Sequence, residues 1–334
     1  MKLSLGQKQM SKNAGFSLIE LMVAMVLSII LLAGVIDIYI NTKQTYNTQE
    51  GLSRIQENAR FVMGRLTREL STAGYLGCLG SIDAEGERVI NTLGDKTKGY
   101  DLESPVIGKE GTGSGSSDEI TIIRANGASA VAVSKPLDSK FSGPLTLDFN
   151  DPDYSDLKQY DVVTVADCEN VATFMITNAP GGDGVIEHAT GVTAPKTAQS
   201  NVTTDLEHPF GHNDKTPATI LVNKAVTYSI GDSAAGTCSA ATPGFCALFE
   251  NGTELVEGVE DLQFEYGVDT NNDTDVDVYR DASAVTTADW AKVVSVRVTI
   301  RLNEVSRVPG SASGITSNNP KTYSSVVRLR SRGV

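Results

Sequence analysis

The chain opens MKLSLGQKQMSKNAGFSLIELMVAMVLSIILLAGVIDIYIN, Met1 to Asn41. Leu21 to Ile36 is apolar throughout except for Ser28 and Gly34. With its flanks to Ile40 the stretch reaches about 25 residues, enough for a helix that crosses a hydrocarbon core of roughly 30 Å. The leader before it carries Lys2, Lys8 and Lys12 and no acid. By the positive-inside rule this keeps the amino terminus cytoplasmic and sends everything after Asn41 outward. A helix that is apolar on every face belongs in lipid or in the middle of a helix bundle. One acid, Glu20, stands at its start, where an ionised group at mid-bilayer costs on the order of 3 kcal/mol. It either snorkels to the nearby surface or meets a buried cation.

A secretory signal peptide is cut after its apolar stretch and loses it. GFSLIELMVAMVLS, Gly15 to Ser28, instead resembles the type III signal of type IV prepilins and pseudopilins. In that family a membrane peptidase cuts after the glycine and methylates the new amino-terminal phenylalanine. The resemblance implies cleavage between Gly15 and Phe16, N-methylation of Phe16, and retention of the helix. It also implies an assembly role for Glu20, whose carboxylate pairs in the family with the free amine of a neighbouring subunit. Loss of the three leader lysines takes the formal net charge from -13 to -16. So acidic a product disfavours direct contact with nucleic acid.

From Leu52 the apolar residues Leu52, Ile55, Ala59, Val62, Met63, Leu66 and Leu70 recur by threes and fours, with Arg54, Glu57, Arg60, Arg65 and Arg68 on other faces. This is an amphipathic continuation. No proline precedes Pro105, so one rod from Phe16 to about Thr72 is expected, weakened by roughly 1 kcal/mol at each of Gly34, Gly51 and Gly64. Gly74 and Gly77 mark its stop. Four segments follow: a leader, 1–15; the membrane or filament-core half of the helix, 16–42; its amphipathic half, 43–72; and an extracytoplasmic domain, 73–334.

The domain reads as β-rich. Segments 119–124, 161–166, 171–177, 219–230 and 261–268 are β-branched or aromatic and bounded by turn residues. In 294–302, Val294, Val296, Val298, Ile300 and Leu302 alternate with polar residues, the pattern of a half-buried antiparallel strand. Segment 322–330 is expected as the last strand, with Arg328, Arg330 and Arg332 forming a basic edge. The glycine- and serine-rich GTGSGSSD, Gly111 to Asp118, is expected as a flexible loop.

The fold class is therefore α+β, similar to the pilin ladle: a long N-terminal helix and a large antiparallel β-rich C-terminal domain. GYLGC (Gly74 to Cys78), LVEGVEDLQFEYGVDTNNDTDVD (Leu255 to Asp277) and the terminal VVRLR look like PilW-type minor pilins. That resemblance implies a structural subunit that helps initiate or cap a type IV pilus, in a tip complex supporting adhesion and motility. The implied partners are the prepilin peptidase, the inner-membrane assembly platform, other minor and major pilins, and a PilY-type tip adhesin. A large minor pseudopilin of a type II secretion system carries the same signal, and a pilus-borne adhesive module is a further alternative.

Cys78, Cys168, Cys238 and Cys246 all follow the membrane segment, where disulfides persist. Three pairings are possible. The short loop with Pro243 and Gly244 favours Cys238 with Cys246, leaving Cys78 with Cys168; without a CxxC pair, zinc is disfavoured. Asp269, Asn271, Asp273, Asp275 and Asp277 alternate as oxygen ligands of a calcium loop would, but Thr274 and Arg280 replace the glycine and glutamate an EF-hand needs. A solvated turn is the competing reading. His188, His208 and His212 form no ligand pattern, and no nucleophile or phosphate-loop motif occurs. The chain reads as non-enzymatic, without a cofactor beyond the calcium alternative. Trp290 reads as a packing residue at a strand entry.

Overall fold

The computed structural model describes residues 17–79, 89–95, 100–137, 141–211, 217–239, 241–303 and 320–332, without the side chains of 78 and 127–129. One helix, α1 (Leu18–Ser71), runs 54 residues, about 80 Å at 1.5 Å per residue. Gly34, Gly51 and Gly64 do not interrupt it. It ends where expected: Gly74 and Gly77 take φ of +66° and +70°, a left-handed backbone that side chains resist. By contacts the chain divides within this helix, after Ser53.

In the first unit every large apolar side chain from Leu18 to Ile40 is exposed. Among the described residues of the unit nothing covers them, so the all-round apolar pattern calls for lipid or other helices.

In the second unit, from Arg54, the helix buries one stripe. Ile55, Ala59, Val62, Leu66 and Leu70 are at most 5% exposed. They pack on two sheets. The smaller sheet contains β11 (Val259–Val268), β12 (Val278–Arg280), β13 (Val293–Leu302) and β14 (Lys321–Arg328). Its order is β12-β11-β13-β14 and it is antiparallel throughout. The alternation expected over 294–302 puts Val296, Val298, Ile300 and Leu302 against the helix stripe.

The larger sheet is built on two long strands, β3 (Glu119–Lys135) and β8 (Thr219–Asp232). Close to the helix β3 is flanked by β2 (Val106–Lys109) and β8 by β9 (Cys246–Glu250), with β10 (Thr253–Glu257) beyond β9. Past a register shift between Asn126 and Ala130, their neighbours become β4 (Leu145–Leu147) and β5 (Val162–Ala166). Outside these lie β7 (Val185–Ile186), β6 (Val171–Met175) and β1 (Val89–Asn91). The shift lets β3 and β8 serve two cores. Ile120, Ile122, Val226 and Tyr228 face the helix core, whereas Val131 and Ile220 belong to a second core with Phe174 and Phe210. β1 and β6 pair in parallel.

Two expectations are corrected. The segment 111–118 is not a free loop: the Asp118 N–H donates to the Leu262 carbonyl at 2.8 Å, the Phe264 N–H donates to the Asp118 carboxylate at 2.9 Å, and the Ser117 hydroxyl bonds Asp261 at 2.9 Å. Its serines and aspartate stitch the start of β3 to β11. Arg332 is not part of a basic surface either. It is 9% exposed, its guanidinium bonding the carbonyls of Leu102 and Glu103, and burial lowers its pKa to about 10. Beside it the Ser331 hydroxyl donates to the Ala73 carbonyl at 2.7 Å, holding the chain's last turn against the end of α1.

Candidate functional site

Two parts of the helix carry side chains with specific polar partners. At its start, the Ser17 hydroxyl accepts from the Ile19 N–H at 3.2 Å while the Glu20 carboxylate accepts from the Ser17 N–H at 3.0 Å. This is a reciprocal capping box, Ser-x-x-Glu. The acid thus serves the first turn of its own helix, and its charge complements the positive end of the helix dipole. Gly15 and Phe16 lie outside the described residues. The Ser-x-x-Glu spacing of this cap is legible in the sequence, beside the membrane and assembly roles expected of Glu20.

The second part is the seat of the amphipathic half. Arg65 leaves the helix as a fork onto Glu250, with Nε and Nη2 at 3.1 and 2.8 Å from the two carboxylate oxygens. The Tyr228 hydroxyl donates to the same carboxylate at 2.9 Å. These bonds stabilise the guanidinium and push its pKa up; burial pushes the Tyr228 phenol up. Glu250 is aimed by a two-residue hairpin turn, Asn251-Gly252, with φ of +50° and +77° joining β9 to β10. One turn on, Glu69 is 4% exposed and bonds Arg124 of β3 at 2.9 Å. Two acid–base pairs therefore anchor the carboxyl-terminal end of the buried stripe. Neither was anticipated, although Glu69 falls three residues after Leu66, on the apolar face.

Cys238 and Cys246 are disulfide-bonded, with Cα atoms 4.4 Å apart, and both lie in the core that receives the helix. Cys168 is also disulfide-bonded. The Cys78 side chain lies outside those described, and the pairing of these two remains a proposal. Trp290 precedes β13 and packs edge-on against Tyr266 at 4.8 Å.

The Asp269–Asp277 loop joins β11 to β12 and uses its oxygens on itself. Asp269, 5% exposed, accepts the N–H groups of Asn271, Asn272, Asp273 and Thr274 at 2.7 to 3.3 Å. Asp277 accepts the N–H and hydroxyl of Thr270, both at 2.7 Å. Arg328 of β14 donates to the Thr274 carbonyl at 2.7 Å and approaches Asp275 at 3.6 Å. Most of these bonds come from donors of the loop itself, the pattern of a closed acidic turn. No cluster of three or more His, Cys, Asp or Glu side chains suited to a metal occurs among the described residues.

His188 is buried, its Nε2 2.9 Å from the Gly143 carbonyl, and burial lowers its pKa. His208 meets Asp167 at 2.7 Å and Asn170 at 2.9 Å. His212 lies outside the described residues.

The family described as Type IV Pilus-assembly protein W matches residues 227–330. This span runs from the Tyr228 end of β8 through β14. It contains Glu250, the disulfide and the whole smaller sheet, most of the surface on which the helix stripe rests. The family described as Prokaryotic N-terminal methylation motif matches residues 10–36. No curated protein and no solved structure matches the chain.

Proposed function

We propose that this chain is a structural minor pilin of the PilW type, as the two family matches support, and that it works in the tip or initiation complex of a type IV pilus. Prepilin peptidase cuts after Gly15 and methylates Phe16. The protein then waits in the inner membrane, amino terminus inward, until the assembly platform draws it into the filament. Its partners there are other minor and major pilins, with a PilY-type adhesin at the tip. The match over 227–330 favours a pilus over a type II secretion pseudopilus, since the signal alone serves both.

The observation that carries this reading is the first helical unit. Its apolar side chains from Leu18 to Ile40 are exposed, so they require first lipid and then neighbouring helices. Glu20 has one oxygen on Ser17, which leaves the other for the amine of a neighbouring Phe16. The role is structural: binding and register, with no catalytic step.

The test is Glu20→Ala expressed beside wild type. The variant inserts into the inner membrane at least as well, since it has lost an intramembrane acid, but enters sheared filaments at a tenth of the wild-type level or less. Equal incorporation would contradict the assembly role.

A further inference from the structure

We propose that Asn251 is a site of spontaneous covalent modification, an asparagine that converts with water to aspartate and isoaspartate and so loosens the seat of the helix. This goes beyond the pilus reading and does not depend on it.

In an Asn-Gly pair the backbone nitrogen of the second residue reaches the side-chain amide of the first with least obstruction, because glycine has no side chain to block the approach. The chain has two such pairs, Asn126-Gly127 and Asn251-Gly252. They are placed oppositely. Asn126 lies inside β3, paired with Val222 of β8, whereas Asn251 and Gly252 form the exposed two-residue turn between β9 and β10. The last ladder pair of that hairpin is Glu250 with Thr253, so the Gly252 nitrogen falls outside the ladder. Beyond its chain neighbours, no atom stands within 4 Å of where a Cβ on Gly252 would sit. The Asn251 Oδ1 accepts the Thr227 N–H at 2.9 Å. That donor stabilises the negative charge that gathers on Oδ1 when the amide carbon is attacked.

The reaction needs only water. The Gly252 nitrogen bonds to the Asn251 Cγ, the Cγ–Nδ2 bond breaks, and the proton lost by Gly252 passes through water to the departing ammonia. The five-membered imide then adds one water. Opening at one carbonyl gives aspartate; opening at the other gives isoaspartate, whose main chain runs through the former side-chain carbon. Aspartate keeps an oxygen for Thr227 and leaves the turn its shape. Isoaspartate adds a carbon to a turn of two residues with φ of +50° and +77°, and the adjoining ladder pair must shift. Glu250 belongs to that pair, and its carboxylate accepts from Arg65 at 3.1 and 2.8 Å and from Tyr228 at 2.9 Å. Lengthening the turn therefore pulls at the fork that holds the helix.

For the test, the full chain in detergent is aged at mildly alkaline pH and digested, and both Asn-Gly peptides are analysed by mass spectrometry with fragmentation that separates aspartate from isoaspartate. Asn251 should convert at least tenfold faster than Asn126, with isoaspartate among its products, and the melting temperature should fall as that isoaspartate accumulates. Asn251→Gly retains a Gly-Gly pair suited to the same turn and should keep its melting temperature on ageing. Unaged Asn251→Asp should melt close to fresh wild type, which assigns the loss to the lengthened backbone and not to the charge. Should Asn251→Gly fail to fold, aged against fresh wild type decides. Conversion no faster at Asn251 than at Asn126, a constant melting temperature while isoaspartate accumulates at 251, or an equal loss in aged Asn251→Gly or unaged Asn251→Asp would overturn the proposal. None of these outcomes bears on cleavage at Gly15 or entry into filaments.

Discussion

Glu69 of the helix and Arg124 of β3 are 2.9 Å apart, and the carboxylate is 4% exposed. A buried acid of this kind is costly when its partner is missing and tolerable when it is held. It fixes the rotation of the amphipathic helix on the sheet, because a turn of one residue would pull Glu69 away from Arg124. Glu69→Ala should lower unfolding stability by about 2–3 kcal/mol. Glu57→Ala, on the exposed face, should stay within about 0.5 kcal/mol of wild type. Urea denaturation of the full chain in detergent compares them.

The Cys238–Cys246 bridge closes a short loop inside the core that receives the helix. Its loop-closure contribution is about 2.5 kcal/mol in the chain-entropy treatment. The double variant Cys238→Ala, Cys246→Ala should lose roughly that amount in urea titrations. Wild type titrated with a strong reductant should move toward it. Coincident curves for the oxidised wild type and the double variant would remove the bridge from the account.

His188 is buried in the neutral form, so its folded pKa lies below the ordinary value of about 6.5. As pH falls below about 6.5 the unfolded chain takes up a proton that the folded chain resists, and stability drops toward the lowered folded pKa. His188→Gln removes that step. Melting temperatures between pH 7.5 and 5 should fall more steeply for wild type than for the variant. Parallel curves would mean that the ring charges freely in place.

In the Asp269–Asp277 loop the backbone N–H groups bond Asp269 and Arg328 bonds the Thr274 carbonyl, so the turn is closed by its own donors and one strand neighbour. Millimolar calcium, magnesium or chelator should leave the melting temperature of the full chain unchanged. Asp269→Ala should cost about 1–3 kcal/mol by leaving buried donors unpaired. A calcium shift lost in Asp273→Ala with Asp275→Ala would restore the metal reading.

The sequence made the long elements legible and left the short ones hidden. Ile55, Ala59, Val62, Leu66 and Leu70 carry enough turns for a period to emerge, and β13 has nine alternating residues. Strands such as β4 and β7, three and two residues long, exist only through their neighbours. β9 and β10 were missed although Asn251-Gly252 is a strong hairpin signal. The loop 111–118 misled because serine and aspartate read as solvent-loving, whereas here they supply the hydrogen bonds that join two sheets. Glu250 and Arg124 could not be assigned to the helix from local sequence, since their partners lie 185 and 55 residues away.

The central claim, a pilin cut before its helix and carried into filaments by it, is tested most directly at the new terminus. Filaments sheared from cells producing the chain should be digested and the amino-terminal peptide identified by mass spectrometry. The account expects a peptide beginning at Phe16, heavier by one methyl group, with Gly15→Val leaving the uncut chain in the membrane and absent from filaments. A filament-borne protein that still carries Met1 to Gly15, or one whose terminus lies beyond Ile40, would contradict it.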